Sequence, residues 1–109
     1  MAINAWVSLL VAGVMETGWA VGLKYTEGFS RLVPSVITIA LMAGSFYFLS
    51  KSLNDLPIGT AYAVWTGIGA VGTVILGIYL FGESRDLLRM LCLLLIISGI
   101  VGLKVASGD

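Results

Sequence analysis

Five side chains in this sequence have the types and spacing to act together on a small cation: Glu16, Trp19, Ser45, Tyr62 and Trp65. Glu16 lies in the run Met15-Glu16-Thr17-Gly18-Trp19-Ala20 and is the only ionisable side chain between Met1 and Leu23. If that stretch crosses a bilayer, the carboxylate sits near hydrocarbon depth, where a charge is expensive and normally has a purpose. Trp19 follows Glu16 by three residues and therefore shares its face of a helix, with Ala12 and Leu9 one and two turns back. Tyr62 and Trp65 repeat the three-residue spacing on another apolar stretch, with Gly69 four residues further on. Ser45 supplies a hydroxyl within a third.

Brought together, these groups would form a cage around a cation. The carboxylate supplies the charge, and the aromatic faces add cation–π attraction. The indole N–H, phenol O–H and serine O–H can donate hydrogen bonds that fix the carboxylate's rotamer. Taken singly, each residue has a plainer reading. A glutamate in a membrane can be a helix–helix hydrogen bond, although here no cationic partner lies within a span. Tyr62 and Trp65 can be packing or interfacial residues, and a serine commonly bonds back to its own helix. The signal resides in the group.

A mechanism follows from Glu16. A poorly solvated carboxylate can hold a proton or a cation, but not readily both. Coupled to a conformational change that exposes the site to alternate sides, this competition gives proton/cation antiport. No nucleophile–base pair, metal-ligand cluster or phosphate loop is visible, so the sequence points to no enzyme, no catalytic residue, no metal and no cofactor. Histidine is absent and the net charge is zero, which removes an imidazole relay and a nucleic-acid surface from consideration. The lone cysteine, Cys92, lies in an apolar run and reads as a packed side chain facing lipid or another helix.

The elements that must position these residues are legible from where charge is missing. The chain has 109 residues, is 59% hydrophobic and carries six basic and six acidic side chains, with a mean hydropathy of +1.04. Residues 32–50, 56–82 and 90–103 carry no charge at all. With its flanks each run is long enough to cross a hydrocarbon core of about 30 Å, which takes roughly 20 helical residues. Backbone groups in lipid must pair within their own segment, so the spans are helices. The reading is an all-α membrane protein, a single four-helix domain over residues 1–109 with helices near 4–23, 33–51, 57–81 and 86–105. Met1-Ala2-Ile3-Asn4-Ala5 has no basic region, and no signal peptide is expected.

The connections are short. Gly28 breaks the chain after the first span, Pro34 suits the first turn of the second, and Lys51 snorkels at its end. Asn54 or Asp55 can cap the third span, which Pro57 opens. Ser84 or Asp86 can cap the fourth. The tail 106–109 is too short to form a domain. Gly67 and Gly69 would let the third span hinge, or would instead allow close helix packing. Ser98 and Gly102 form a small-xxx-small pair that could make a dimer contact. Four short helices enclose little volume, so an oligomer is expected, and a dimer would place two Glu16 side chains at one shared site. Lys51 and Lys104 flank one membrane face, while Lys24, Arg31, Arg85 and Arg89 flank the other. This modest bias leaves two readings open: both termini outside, or a chain that inserts both ways.

The motifs Glu16-x-x-Trp19-Ala20, Gly22-Leu23-Lys24-Tyr25 and Gly28-Phe29-x-Arg31-Leu32-x-Pro34-Ser35 resemble the small multidrug resistance family. So do Pro57-x-Gly59-Thr60-Ala61-Tyr62-Ala63-Val64-Trp65-Thr66-Gly67-Ile68-Gly69-Ala70, Gly82-Glu83 and Gly99-Ile100-x-Gly102-Leu103-Lys104. Trp19 and the Trp65-Thr66-Gly67 run are similar to the guanidinium-exporter branch. The resemblance implies an antiparallel, dual-topology homodimer in the bacterial inner membrane that exchanges protons for guanidinium. It further implies a central site where Glu16 binds substrate and proton, lined or supported by Trp19, Ser45, Tyr62 and Trp65. The uneven basic count departs from that pattern, since a dual-topology chain should be nearly balanced. Two other readings compete: an exporter of quaternary-ammonium and aromatic cations, and a non-transporting membrane subunit of a hetero-oligomer.

Overall fold

A computed structural model describes residues 2–106, with side chains from residue 4 onward; the end of the tail, residues 107–109, lies outside the described residues. Four helices follow one another: α1 (Ala2–Tyr25), α2 (Leu32–Ser52), α3 (Ile58–Phe81) and α4 (Leu87–Ala106). Each is long and apolar enough to cross a membrane. At 1.5 Å per residue they span about 30–36 Å, the thickness of a hydrocarbon core plus a little of each interface.

The helices form a thin slab, 43 × 34 × 16 Å. α1 packs closely against α2 on one side and α3 on the other, while α4 lies along α3. α1 is therefore the central helix, which puts its one acid at the middle of the molecule. Its inner stripe is Ala5, Leu9 and Ala12, all nearly or wholly buried, and the alternating four- and three-residue steps of that stripe continue to Glu16. Against it α3 presents Ala61, Val64 and Trp65. Outward-facing side chains are large aliphatics such as Leu32, Leu87 and Val105. Small residues such as Ala5, Ala12 and Ala61 among the inner contacts, with bulky aliphatics turned outward, is the arrangement expected where lipid solvates the exterior and close backbone approach holds the helices together.

The three connections are built differently. After α1 the chain passes through Glu27, Gly28 and Phe29, all with positive φ. Two of these are not glycine, a strained course held by Thr26, whose buried hydroxyl donates to the Leu23 carbonyl at 2.8 Å and accepts the Phe29 N–H at 3.2 Å. Pro34 occupies the third position of α2, where its missing N–H has no intrahelical partner to lose. Pro57 itself takes the N-cap position of α3. Its extended φ and ψ, −61° and 145°, set the entry into the helix. At α4, Asp86 accepts the Arg89 backbone N–H at 2.9 Å and the Ser84 hydroxyl at 3.0 Å. These bonds, the Arg89 N–H foremost, hold the Asp86 carboxyl below the usual carboxylate range.

Candidate functional site

The inner stripe of α1 brings Glu16 against α3 at Gly69. A Cβ on Gly69 would collide with the Glu16 carboxyl group, so only glycine leaves room for the acid there. The Glu16 Oε1 atom is buried and accepts no hydrogen bond among the described residues. Beside it, the Thr17 hydroxyl bridges Gly13 O at 3.2 Å and Gly69 O at 3.4 Å, and Thr73 donates to the same Gly69 carbonyl at 2.7 Å. The segment of α3 that faces Glu16 is thus pinned to α1 through one carbonyl.

Ser45 projects from α2 into the α1–α3 junction and is wholly buried. Its hydroxyl donates to the Ala12 carbonyl of α1 at 2.7 Å and accepts the indole N–H of Trp65 at 2.9 Å. One side chain therefore ties three helices together. This differs from a cage in which indole and hydroxyl both donate to the carboxylate. A backbone carbonyl one turn before Glu16 takes the serine proton, and the serine oxygen takes the Trp65 proton. The Trp19 indole N–H is buried without a partner among the described residues.

The aromatic side chains form a row across the three helices. Trp19 and Phe46 have ring centroids 6.3 Å apart, Phe46 and Trp65 5.7 Å, and Trp65 and Tyr62 5.6 Å, each pair tilted by 50–52°. Those are favourable separations and inclinations for aromatic pairs. Trp65 is buried, whereas Tyr62 at the end of the row is 57% exposed. Phe46 links the two tryptophans and was not singled out from sequence. Its one signal is position, a mid-span aromatic next to Ser45. The Ala12 carbonyl has no sequence signal at all.

The remaining residues lie apart from this group. Gly67 faces α4, and a Cβ there would sit 3.0 Å from Ile100 Cδ1. α3 runs without a break through Gly67 and Gly69, and both glycines are filled by a neighbour's atoms. Ser98 and Gly102 are exposed on α4, with open space where a Gly102 Cβ would stand. Cys92 is also exposed on α4. Chemically, the centre offers one acidic oxygen lacking a donor, in a setting otherwise of aromatic rings and engaged hydroxyls. Such a place suits a proton or a compact planar cation.

Comparison with known proteins bears on this arrangement. A family model described as Small Multidrug Resistance protein matches residues 4–96. A guanidinium exporter of Yersinia pseudotuberculosis is 61% identical over 103 residues, covering 94% of this chain and 99% of the relative. Guanidinium exporters of Proteus vulgaris and Citrobacter freundii are 59% and 58% identical over the same length, covering 99% and 98% of those proteins.

Proposed function

This chain belongs to the Small Multidrug Resistance family and is a multi-pass protein of the bacterial inner membrane, and from that premise we propose that it exports guanidinium ion in exchange for protons. The observation that carries the reading is Glu16: an acid on the innermost stripe of the central helix, with a buried oxygen that no group among the described residues satisfies. The relatives named guanidinium exporters, similar along almost their whole length, supply the substrate.

The chemistry fits. Guanidinium is planar and presents paired N–H donors, which match the two oxygens of a carboxylate. It also stacks on aromatic faces, which the row Trp19, Phe46, Trp65 and Tyr62 offers. Ser45 acts as a brace: it holds the Trp65 indole and the α1 backbone one turn from Glu16, so the walls of the site keep their shape as the cargo changes. When a proton binds Glu16, the charge that attracts the cation is lost; when the cation binds, the proton leaves. That exclusion couples the two fluxes.

The working unit in this reading is an antiparallel homodimer of single four-helix domains, with both Glu16 side chains facing one shared site. Ser98 and Gly102 on the exposed flank of α4 provide the contact between copies. Exchange between outward and inward states bends α3 at Gly67 and Gly69, lifting Ile100 from the first and Glu16 from the second.

The test is guanidinium transport by purified protein in proteoliposomes under an imposed proton gradient, with Glu16→Gln alongside. Gradient-driven movement that disappears in Glu16→Gln is expected. Movement that persists in Glu16→Gln would overturn the role of this acid. No movement by folded wild-type protein would overturn guanidinium export itself.

A further inference from the structure

A second pairing of carboxylate and aromatic ring stands away from the centre, at the Lys24 end of the α1–α3 seam. A cavity of about 150 Å³ is lined there by Lys24, Thr73, Gly77, Phe81 and Glu83, among others. Gly82, at φ +65°, turns the chain back at the end of α3. The Glu83 N–H donates to the Gly77 carbonyl at 3.2 Å. The Glu83 carboxylate lies over Gly77, where a Cβ would strike it, so the acid is folded onto the last turn of α3 while staying partly in contact with water.

Both elements of this pairing already hold a tethered cation. The Lys24 ammonium stands 4.3 Å from the centre of the Phe81 ring, against which Tyr25 packs at a tilt with ring centroids 5.6 Å apart. The Arg89 guanidinium lies 3.6 Å from Glu83 Oε1. An ammonium on the ring and a guanidinium on the acid show which ligand chemistry the two groups accept.

We infer that this cavity is a vestibular binding site for a free small organic cation of the guanidinium class, in which the Lys24 ammonium on Phe81 is a displaceable stand-in. The choice of ligand rests on the export reading above; the geometry does not. A cation–π contact at a partly exposed position corresponds to a factor of about two to five in occupancy, so a free cation can compete with it. Cations gathered at the mouth of the seam would raise their local concentration next to the helix pair that carries Glu16. In an antiparallel dimer each membrane face would carry one such vestibule.

The test reads Lys24 directly. The full-length protein in detergent is acetylated with an N-hydroxysuccinimide ester, in guanidinium chloride or in sodium chloride of equal ionic strength. The rate at each lysine is then followed by peptide mass spectrometry. Guanidinium is expected to release Lys24 and raise its acetylation about two- to fivefold, with Lys51 unchanged. The rise should persist in Glu16→Gln and shrink in Glu83→Gln. In Phe81→Leu, Lys24 should react fast with or without guanidinium. An unchanged Lys24 rate, or an equal rise at Lys51, overturns the site. A rise that vanishes in Glu16→Gln places its cause at the central acid and overturns it equally. Failure of export is read separately, in liposomes.

Discussion

The Trp65 indole N–H donates to the Ser45 hydroxyl at 2.9 Å, and that hydroxyl donates onward to the Ala12 carbonyl at 2.7 Å. The serine therefore works as a three-helix clamp, and its removal leaves a buried indole donor without an acceptor. Such an orphan costs about 1–3 kcal/mol. Ser45→Ala is expected to lower thermal stability in detergent and to slow guanidinium exchange. Combined with Trp65→Phe in a double-mutant cycle, it should show a coupling of roughly 0.5–1.5 kcal/mol. Strictly additive effects of the two changes would rule the clamp out.

Gly69 matters for what faces it. Gly69→Ala drives a methyl group into the Glu16 carboxyl and is expected to abolish guanidinium exchange in liposomes while leaving a helical circular-dichroism spectrum. Gly59→Ala, at the start of the same helix with open space around the added carbon, is the matched control and should transport normally. Ordinary transport by Gly69→Ala would show that the acid does not need this recess.

The proposed assembly makes a demand on α4. Gly102 is exposed within one chain, so a larger side chain there costs the isolated subunit nothing in packing. If Ser98 and Gly102 meet a second copy, Gly102→Leu should convert the dimer to a monomer, visible by light scattering in detergent. A dimer of unaltered strength in Gly102→Leu would move the contact elsewhere.

Asp86 gives a pH prediction outside the membrane spans. Its carboxyl is held below its ordinary value chiefly by the Arg89 backbone N–H and then by the Ser84 hydroxyl. A depressed native value means that the cap's contribution is complete above the unfolded value, about pH 3.9, and is lost as pH falls through the native one. Amide protection in the first turn of α4, taken relative to the intrinsic exchange rate at each pH, should therefore fall on acidification below about pH 4. Asp86→Ala should be poorly protected at every pH, and in Asp86→Asn the protection should lose its pH dependence. A first turn whose protection ignores both acid and Asp86→Ala would show that the cap is idle.

Much of the architecture was legible without coordinates. Three charge-free runs and one stretch with a single acid dictate four spans, because a helix is the only open-ended segment that satisfies its own backbone in lipid. Glu16 stands out for the same reason: it is an acid that the apolar run around it cannot solvate. Within a helix, the 3.6-residue turn places Trp19 on the face of Glu16 and Trp65 on the face of Tyr62, whatever the rest of the chain does.

Relations between helices were decided only by the tertiary structure. That Ser45 bonds the Ala12 carbonyl, that Phe46 comes between Trp19 and Trp65, and that Gly69 leaves a recess for the Glu16 carboxyl all depend on how each helix is rotated and crossed. In water an apolar stripe reveals that rotation. Here the outward faces are as apolar as the inward ones, since lipid replaces water outside, and α1, α2 and α3 carry almost no periodic contrast to read. Close approach of small residues and a few buried hydrogen bonds set the rotation instead. Those depend on three-dimensional fit, which residue types in order along a chain do not specify.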